Sequence, residues 1–144
     1  MADDCFICRK HQGQIKIPGG LLFEDEWVVV SRPANINYLA YLMLDTRRHV
    51  WELADLTTIE SEAIGRTVSR MARALRDVCG VVHVYSFFLA DAVPHAHFHV
   101  VGRYPGTPGE FWGRSVTDWP GAPRATLTEL EALAGRLRHA LAHP

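Results

Sequence analysis

The chain has 144 residues, 48% of them hydrophobic, and a formal charge of -1 from 15 basic and 16 acidic side chains. That length fits one domain with a sizeable core, and that composition excludes a disordered polymer. The near-neutral balance gives no bulk attraction to nucleic acid or to an anionic membrane, and no apolar run reaches the ~18 residues that span a bilayer.

In chain order, Met1-Ala2-Asp3-Asp4 is acidic and carries no secretory pattern, so a cytoplasmic location is the default expectation. Cys5 and Cys8 form a Cys-x-x-Cys pair; with only Cys79 besides, no disulfide scaffold is expected. Leu21 to Phe23 and Trp27 to Ser31 read as two short strands around a tight turn at Glu24-Asp25-Glu26. Pro33, Asn35 and Asn37 interrupt the next segment. Tyr38 to Leu44 is a continuous apolar run, predicted to be a central strand, with Arg47-Arg48-His49 at its exit. Thr57 to Cys79 is the clearest helix. Thr57 and Glu60 have capping-box spacing, Ile64, Val68, Met71, Leu75 and Val78 form one stripe, and Gly80 can stop it. Val81 to Leu89 reads as a strand and Ala90-Asp91-Ala92 as a turn. Tyr104 to Gly109 is a loop, followed by an irregular segment with Trp112 and Trp119. Thr126 and Glu129 repeat the capping spacing ahead of Leu127, Leu130, Leu133 and Leu137, which predict a last amphipathic helix. No repeat or linker divides residues 1–144, so an α+β domain is expected, an antiparallel sheet with one helix-covered face.

Between that turn and that loop lies His95-Ala96-His97-Phe98-His99-Val100-Val101. On an extended strand side chains alternate, so His95, His97 and His99 are predicted to share one face. A row of imidazoles costs desolvation unless each ring is bonded, ligated or in a wet cleft. Three readings fit it: a metal site, a covalent phosphoryl or nucleotidyl transfer site with one ring nitrogen free to attack phosphorus, or a solvated strand face.

The same seven residues resemble the His-x-His-x-His-x-x signature of the histidine triad (HIT) superfamily. Val93-Pro94 and Arg103 resemble a bacterial subgroup of it, and Tyr38 to His49 and Cys5-Phe6-Ile7-Cys8 extend the likeness over roughly residues 4 to 104. The resemblance implies a HIT-like antiparallel sheet packed against helices, with a C-terminal helical extension. It also implies nucleotide hydrolysis or transfer at an α-phosphate. His97 would be the nucleophile, His99 would orient a phosphate oxygen and His95 would support the site. The partner would be a nucleotide or nucleotide conjugate, and the chain a homodimer. Related proteins further imply that His49 and His95 join Cys5 and Cys8 as ligands of a structural zinc. His11 is a rival ligand by its closeness to Cys8. A metal-dependent phosphoester hydrolase and a catalytically weak scaffold that binds a nucleotide or protein are the alternatives.

Three places depart from the common pattern of that family. Ala40 and Tyr41 stand where many members have Gly-His; Tyr41 can still bond a phosphate. Ser31 stands near the place of a ribose-binding acid. Asp91 replaces a neutral residue before the triad, where it would meet substrate or cap the turn. Arg32, Arg47 and Arg48 read as solvated, as do Arg66, Arg70, Arg73 and Arg76 on the long helix.

Overall fold

Asp25 sets the first turn. Its Oδ1 accepts from the backbone N–H groups of Trp27 and Val28 at 2.7 and 2.9 Å, which closes the hairpin between β1 (Leu21–Glu24) and β2 (Val28–Ser31). The computed structural model describes residues 4–144. Met1, Ala2 and Asp3, part of the acidic segment read for a secretory pattern, lie outside the described residues. A short helix, α1 (Phe6–His11), precedes the hairpin. After it come β3 (Tyr41–Thr46), the long α2 (Thr58–Cys79), β4 (His83–Phe88), β5 (His97–Arg103) and the C-terminal α3 (Leu127–Ala142). The five strands form one antiparallel sheet in the order β1-β2-β3-β5-β4.

Both long helices begin as their sequences predict. Thr57 and Glu60 make a reciprocal capping box at α2, and Thr126 and Glu129 make another at α3. Gly80 ends α2 at φ +71, a left-handed conformation that glycine adopts without a Cβ clash. Ala63, Ile64, Met71 and Leu75 of α2, with Leu133, Leu137 and Leu141 of α3, bury one face of the sheet through Val28, Val30, Leu42, Leu44 and Val100. A fully buried leucine such as Leu42 or Leu137 contributes about 2 kcal/mol. The opposite face carries Tyr41, Met43, Asp45, His97 and His99, because strand side chains alternate and the register sets Met43 against His99 and Asp45 against His97.

Two predicted strands shift. Tyr38 and Leu39 do not join β3. The buried Arg32 guanidinium donates to the carbonyls of Leu39 and Tyr38 at 2.6 and 2.7 Å, and this stretch pairs with residues 123–125 instead. Arg32 is therefore interior, not solvated. The histidine strand starts at His97, so the expected row of three histidines on one strand face is a row of two. His95 sits before it, with the neighbouring Ala96 N–H bonded to the Val50 carbonyl and its own N–H to that of Val93.

Candidate functional site

A group of residues that can hold a metal ion is assembled from three distant pieces of chain. Cys5 caps α1 and Cys8 lies one turn on, where the Cys8 N–H donates to Cys5 Sγ at 3.5 Å. His49 follows β3 and brings Nδ1 to 3.4 Å from Cys8 Sγ. His95 brings Nδ1 to 3.4 Å from Cys5 Sγ and 3.6 Å from Cys8 Sγ. Its other nitrogen, Nε2, lies 2.7 Å from the Thr46 carbonyl oxygen. A carbonyl only accepts, so Nε2 carries the proton and Nδ1 offers a lone pair to the thiols. Burial holds the His95 pKa down to about 4, so the ring is neutral. The four donor atoms lie within 4.8 Å of one another, and these residues can hold a metal ion. Tetrahedral zinc, with Zn–S near 2.3 Å and Zn–N near 2.05 Å, separates S from N by about 3.5 Å. The spacings found fit it, and a ligating histidine bonded through its second nitrogen to a backbone carbonyl is the usual support. His11 is not in this group.

His97 and His99 form a second unit, ring centroids 5.2 Å apart. His97 Nδ1 lies 2.6 Å from the His95 carbonyl oxygen, so Nδ1 carries the proton and Nε2 keeps a lone pair. His97 is 8% exposed and lines a cleft of about 420 Å³. His99 Nδ1 is 2.7 Å from the Tyr41 hydroxyl, and the Phe87 ring lies flat on His99 at 4.7 Å. Burial first, then the neighbouring His97, lowers the His99 pKa to about 4, and burial raises Tyr41 to about 12. A neutral imidazole thus faces a hydroxyl that keeps its proton. The remaining cleft wall is mainly apolar, with Phe6, Ile17, Ile36 and Val93 among its residues. That combination, an apolar wall ending in a few polar groups, suits a small ligand with a flat apolar part and a polar head.

Beside His97 lies a buried charge cluster that the sequence reading missed. Lys10 Nζ meets Asp45 Oδ2 at 2.5 Å and donates to the Ser31 hydroxyl at 3.0 Å; His11 Nε2 meets the same Asp45 oxygen at 3.1 Å. Burial alone would raise the Asp45 pKa, but Lys10 and His11 outweigh it and hold the carboxyl below its ordinary value. Alternation along β3 was the available signal, since Asp45 follows Tyr41 and Met43 on one face. Lys10 carried no signal, because α1 is only one and a half turns long.

The predicted residues thus separate into two groups. Cys5, Cys8, His49 and His95 come together, and so do Tyr41, His97 and His99. Ser31 is fully buried beneath Lys10 and does not line the cleft. Asp91 is exposed in the bend after β4, also outside the cleft lining. Arg48 is not simply solvated; it grips Glu60 with two hydrogen bonds, at 2.9 and 2.8 Å. Trp112 packs against Arg103, and Trp119 is partly buried against the core.

No curated protein sequence matches the chain. Solved structures do match its fold. A HIT-like protein involved in cell-cycle regulation from Bartonella henselae aligns with a TM-score of 0.74 at 17% identity, covering 97% of this chain and 98% of that one. A zinc-bound histidine triad family protein from Mycobacterium smegmatis aligns at 0.72 and 20% identity, covering 96% and 94%. A hypothetical histidine triad nucleotide-binding protein from Sulfolobus tokodaii aligns at 0.75 and 13% identity, covering 96% and 92%. At such identities the likeness speaks to the fold. The sequence itself matches the model of the HIT domain over residues 14–106, a span that contains the whole triad. With the α+β sheet, the triad strand and that match in agreement, the chain belongs to the HIT domain family.

Proposed function

We propose that this protein is a nucleotide hydrolase or nucleotidyl transferase that acts at an α-phosphate through a covalent His97 intermediate. The observation that carries the reading is the His97 Nδ1–His95 carbonyl bond, which leaves Nε2 as the nucleophilic nitrogen of a cleft residue. The nucleoside occupies the apolar part of the cleft. The Nε2 lone pair forms the N–P bond while the bond from phosphorus to the leaving group breaks; the leaving group takes that electron pair, and an amine or other basic leaving group also takes a proton from solvent water. Water, or a second acceptor in a transferase, then attacks phosphorus and releases its proton to solvent, and the N–P pair returns to Nε2. Tyr41 donates into His99 Nδ1, so that His99 presents Nε2–H to a phosphate oxygen. Ser31 acts on the sugar only through Lys10, and Asp91 shapes the turn ahead of the triad.

In this reading Cys5, Cys8, His49 and His95 hold a structural zinc as two thiolates and two imidazoles. With four protein ligands the site is closed, and its contribution is to pin α1 to the sheet beside His97 rather than to activate water. The same reading takes the protein as a cytoplasmic homodimer, which light scattering of the purified chain tests for the assembly.

Intact mass after rapid quench tests the chemistry. Adenosine phosphoramidate and a dinucleoside polyphosphate should each add one nucleotidyl group, absent in His97→Ala with the circular dichroism unchanged. No adduct and no turnover across purine and pyrimidine substrates overturns the proposal. Nucleotide affinity by calorimetry without turnover would instead favour a binding scaffold, for which the phenol of Tyr41 beside His99 is the reason.

A further inference from the structure

The family match stops at residue 106, yet the chain beyond it returns to the histidines. Trp112 anchors the return. Its indole Nε1 donates to the Thr107 carbonyl at 3.0 Å, and the Arg103 guanidinium stands 3.8 Å from its ring centroid. Val116, buried in the core, is the second anchor. Arg114 lies between them on the 3-10 turn Gly113–Thr117, with its guanidinium 6.0 Å from the Phe87 ring centroid. Phe87 is the cross-strand partner of His99 and is stacked on it with the planes 11° apart. Arg114 is exposed and, among the described residues, has no hydrogen-bond or ion-pair partner. Its charge nevertheless reaches the site. It helps to depress the basicity of His99, after burial and His97, and it opposes the effect of burial on Tyr41.

The strand order gives this cation a direction. The apolar cleft draws on the segment after β2 and on β3; the histidines stand on β5; Phe87 and Arg114 lie on the far side, at β4. A nucleoside in the cleft with its α-phosphate at His97 leaves the β4 side open to the group attached beyond that phosphate. A polyphosphate there carries several negative charges, an amine none. An unpaired guanidinium held at that exit separates the two by charge and by its forked donors.

We infer that Arg114 is a specificity-determining residue that binds an anionic leaving group, so that the protein favours nucleoside polyphosphates over phosphoramidates. The inference rests on the nucleotidyl-His97 reading and on the nucleoside lying in the apolar cleft.

The test compares the wild type with Arg114→Ala and Arg114→Lys at one ionic strength. Calorimetry reads the affinities for adenosine mono-, di- and triphosphate; steady-state kinetics read a dinucleoside polyphosphate against adenosine phosphoramidate. The wild type should bind the triphosphate about tenfold tighter than the monophosphate, a preference that Arg114→Ala removes and Arg114→Lys partly restores. The ratio of kcat/KM for polyphosphate over phosphoramidate should fall about tenfold in Arg114→Ala, mainly through KM. An equal loss on both substrates marks a merely structural role and overturns the inference, as does an unchanged ratio. If a His97 adduct forms while the ratio ignores Arg114, only this inference fails. If no nucleotide binds and no adduct forms, the reading of the site fails with it.

Discussion

The backbone carbonyl of His95 fixes the tautomer of His97, while the ring of His95 turns the other way, toward Cys5 and Cys8. The candidate metal ligands and the proposed nucleophile are thus joined through a single residue. His95 is fully buried, and its ring is held between the Thr46 carbonyl and the two cysteine sulfurs, which fixes the residue whose carbonyl orients His97.

This coupling predicts that a metal set on the far side of His95 governs chemistry it never touches. Metal analysis should find one zinc per chain, lost in Cys8→Ser. Binding a closed zinc site is folding free energy, so chelation should lower Tm. Adduct formation should fall about 10- to 100-fold in the metal-free protein, the range expected when a positioning contact is lost. Unchanged adduct kinetics in a demetallated, folded sample would show that the His95 carbonyl holds its place unaided.

Tyr41 offers a sharper probe of the phosphate side. Tyr41→Phe removes the 2.7 Å bond to His99 and leaves the ring in place. A net hydrogen-bond contribution of about 1 kcal/mol corresponds to a roughly fivefold loss in kcat/KM. The His99 pKa of about 4 adds a pH signature, since the ring is neutral above that value and the bond survives down to it. Because its folded pKa lies below the ordinary 6.5, His99 withdraws stability as pH falls from about 6.5 through about 4. Stopped-flow kinetics at pH 7 and urea unfolding across that range check both halves.

Much of this arrangement is legible in the sequence because it depends on local rules. Thr57 with Glu60, Thr126 with Glu129, and Gly80 announce the ends of helices through hydrogen bonds that form within one turn. The triad announces itself by alternation, and for His97 and His99 alternation suffices. His95 escapes the rule because two cysteines some ninety residues earlier lie against its ring, a tertiary demand that periodicity does not encode. Arg32 looks like a surface cation, but two carbonyls left unpaired where β3 has yet to begin are satisfied by its guanidinium. The helix α1 is too short to show a period, and Arg114 follows the triad in a stretch with no regular pattern.

Glu60 links the long helix to the basic pair after β3. It is 2% exposed, accepts two hydrogen bonds from Arg48 and two from Thr57, and has its pKa lowered from 4.5 to about 2, by Arg48 first. The folded value lies below the unfolded one. Its stabilisation is therefore complete above pH 4.5 and is lost as pH falls toward 2. Screening at the half-exposed Arg48 limits the contribution to about 1–2 kcal/mol. Glu60→Gln should cost that amount at pH 7, a smaller amount at pH 3 and least as pH nears 2, measured by urea unfolding. An equal loss at all three values would mean that the amide breaks the cap itself rather than a charge-dependent pair.

Lys10 and Asp45 present the reverse case, a pair whose two members are worth more absent together than singly. Both side chains are at most 4% exposed, and Asp45 Oδ1 has no partner among the described residues. Removing one charge strands the other in the interior. Lys10→Met should therefore destabilise the protein by about 3–5 kcal/mol, with the Asp45 carboxyl driven upward by burial once the lysine is gone. Lys10→Met with Asp45→Leu should recover most of that loss, because replacing both partners removes the desolvation cost as well as the attraction. Denaturant unfolding of the two variants decides the matter. A double variant no more stable than the single one would mean that the bonds to Ser31 and His11 make the cluster a net stabiliser. A recovered double variant with slowed adduct formation would locate the value of the pair in the cleft beside His97, where Asp45 is its register partner across the strands.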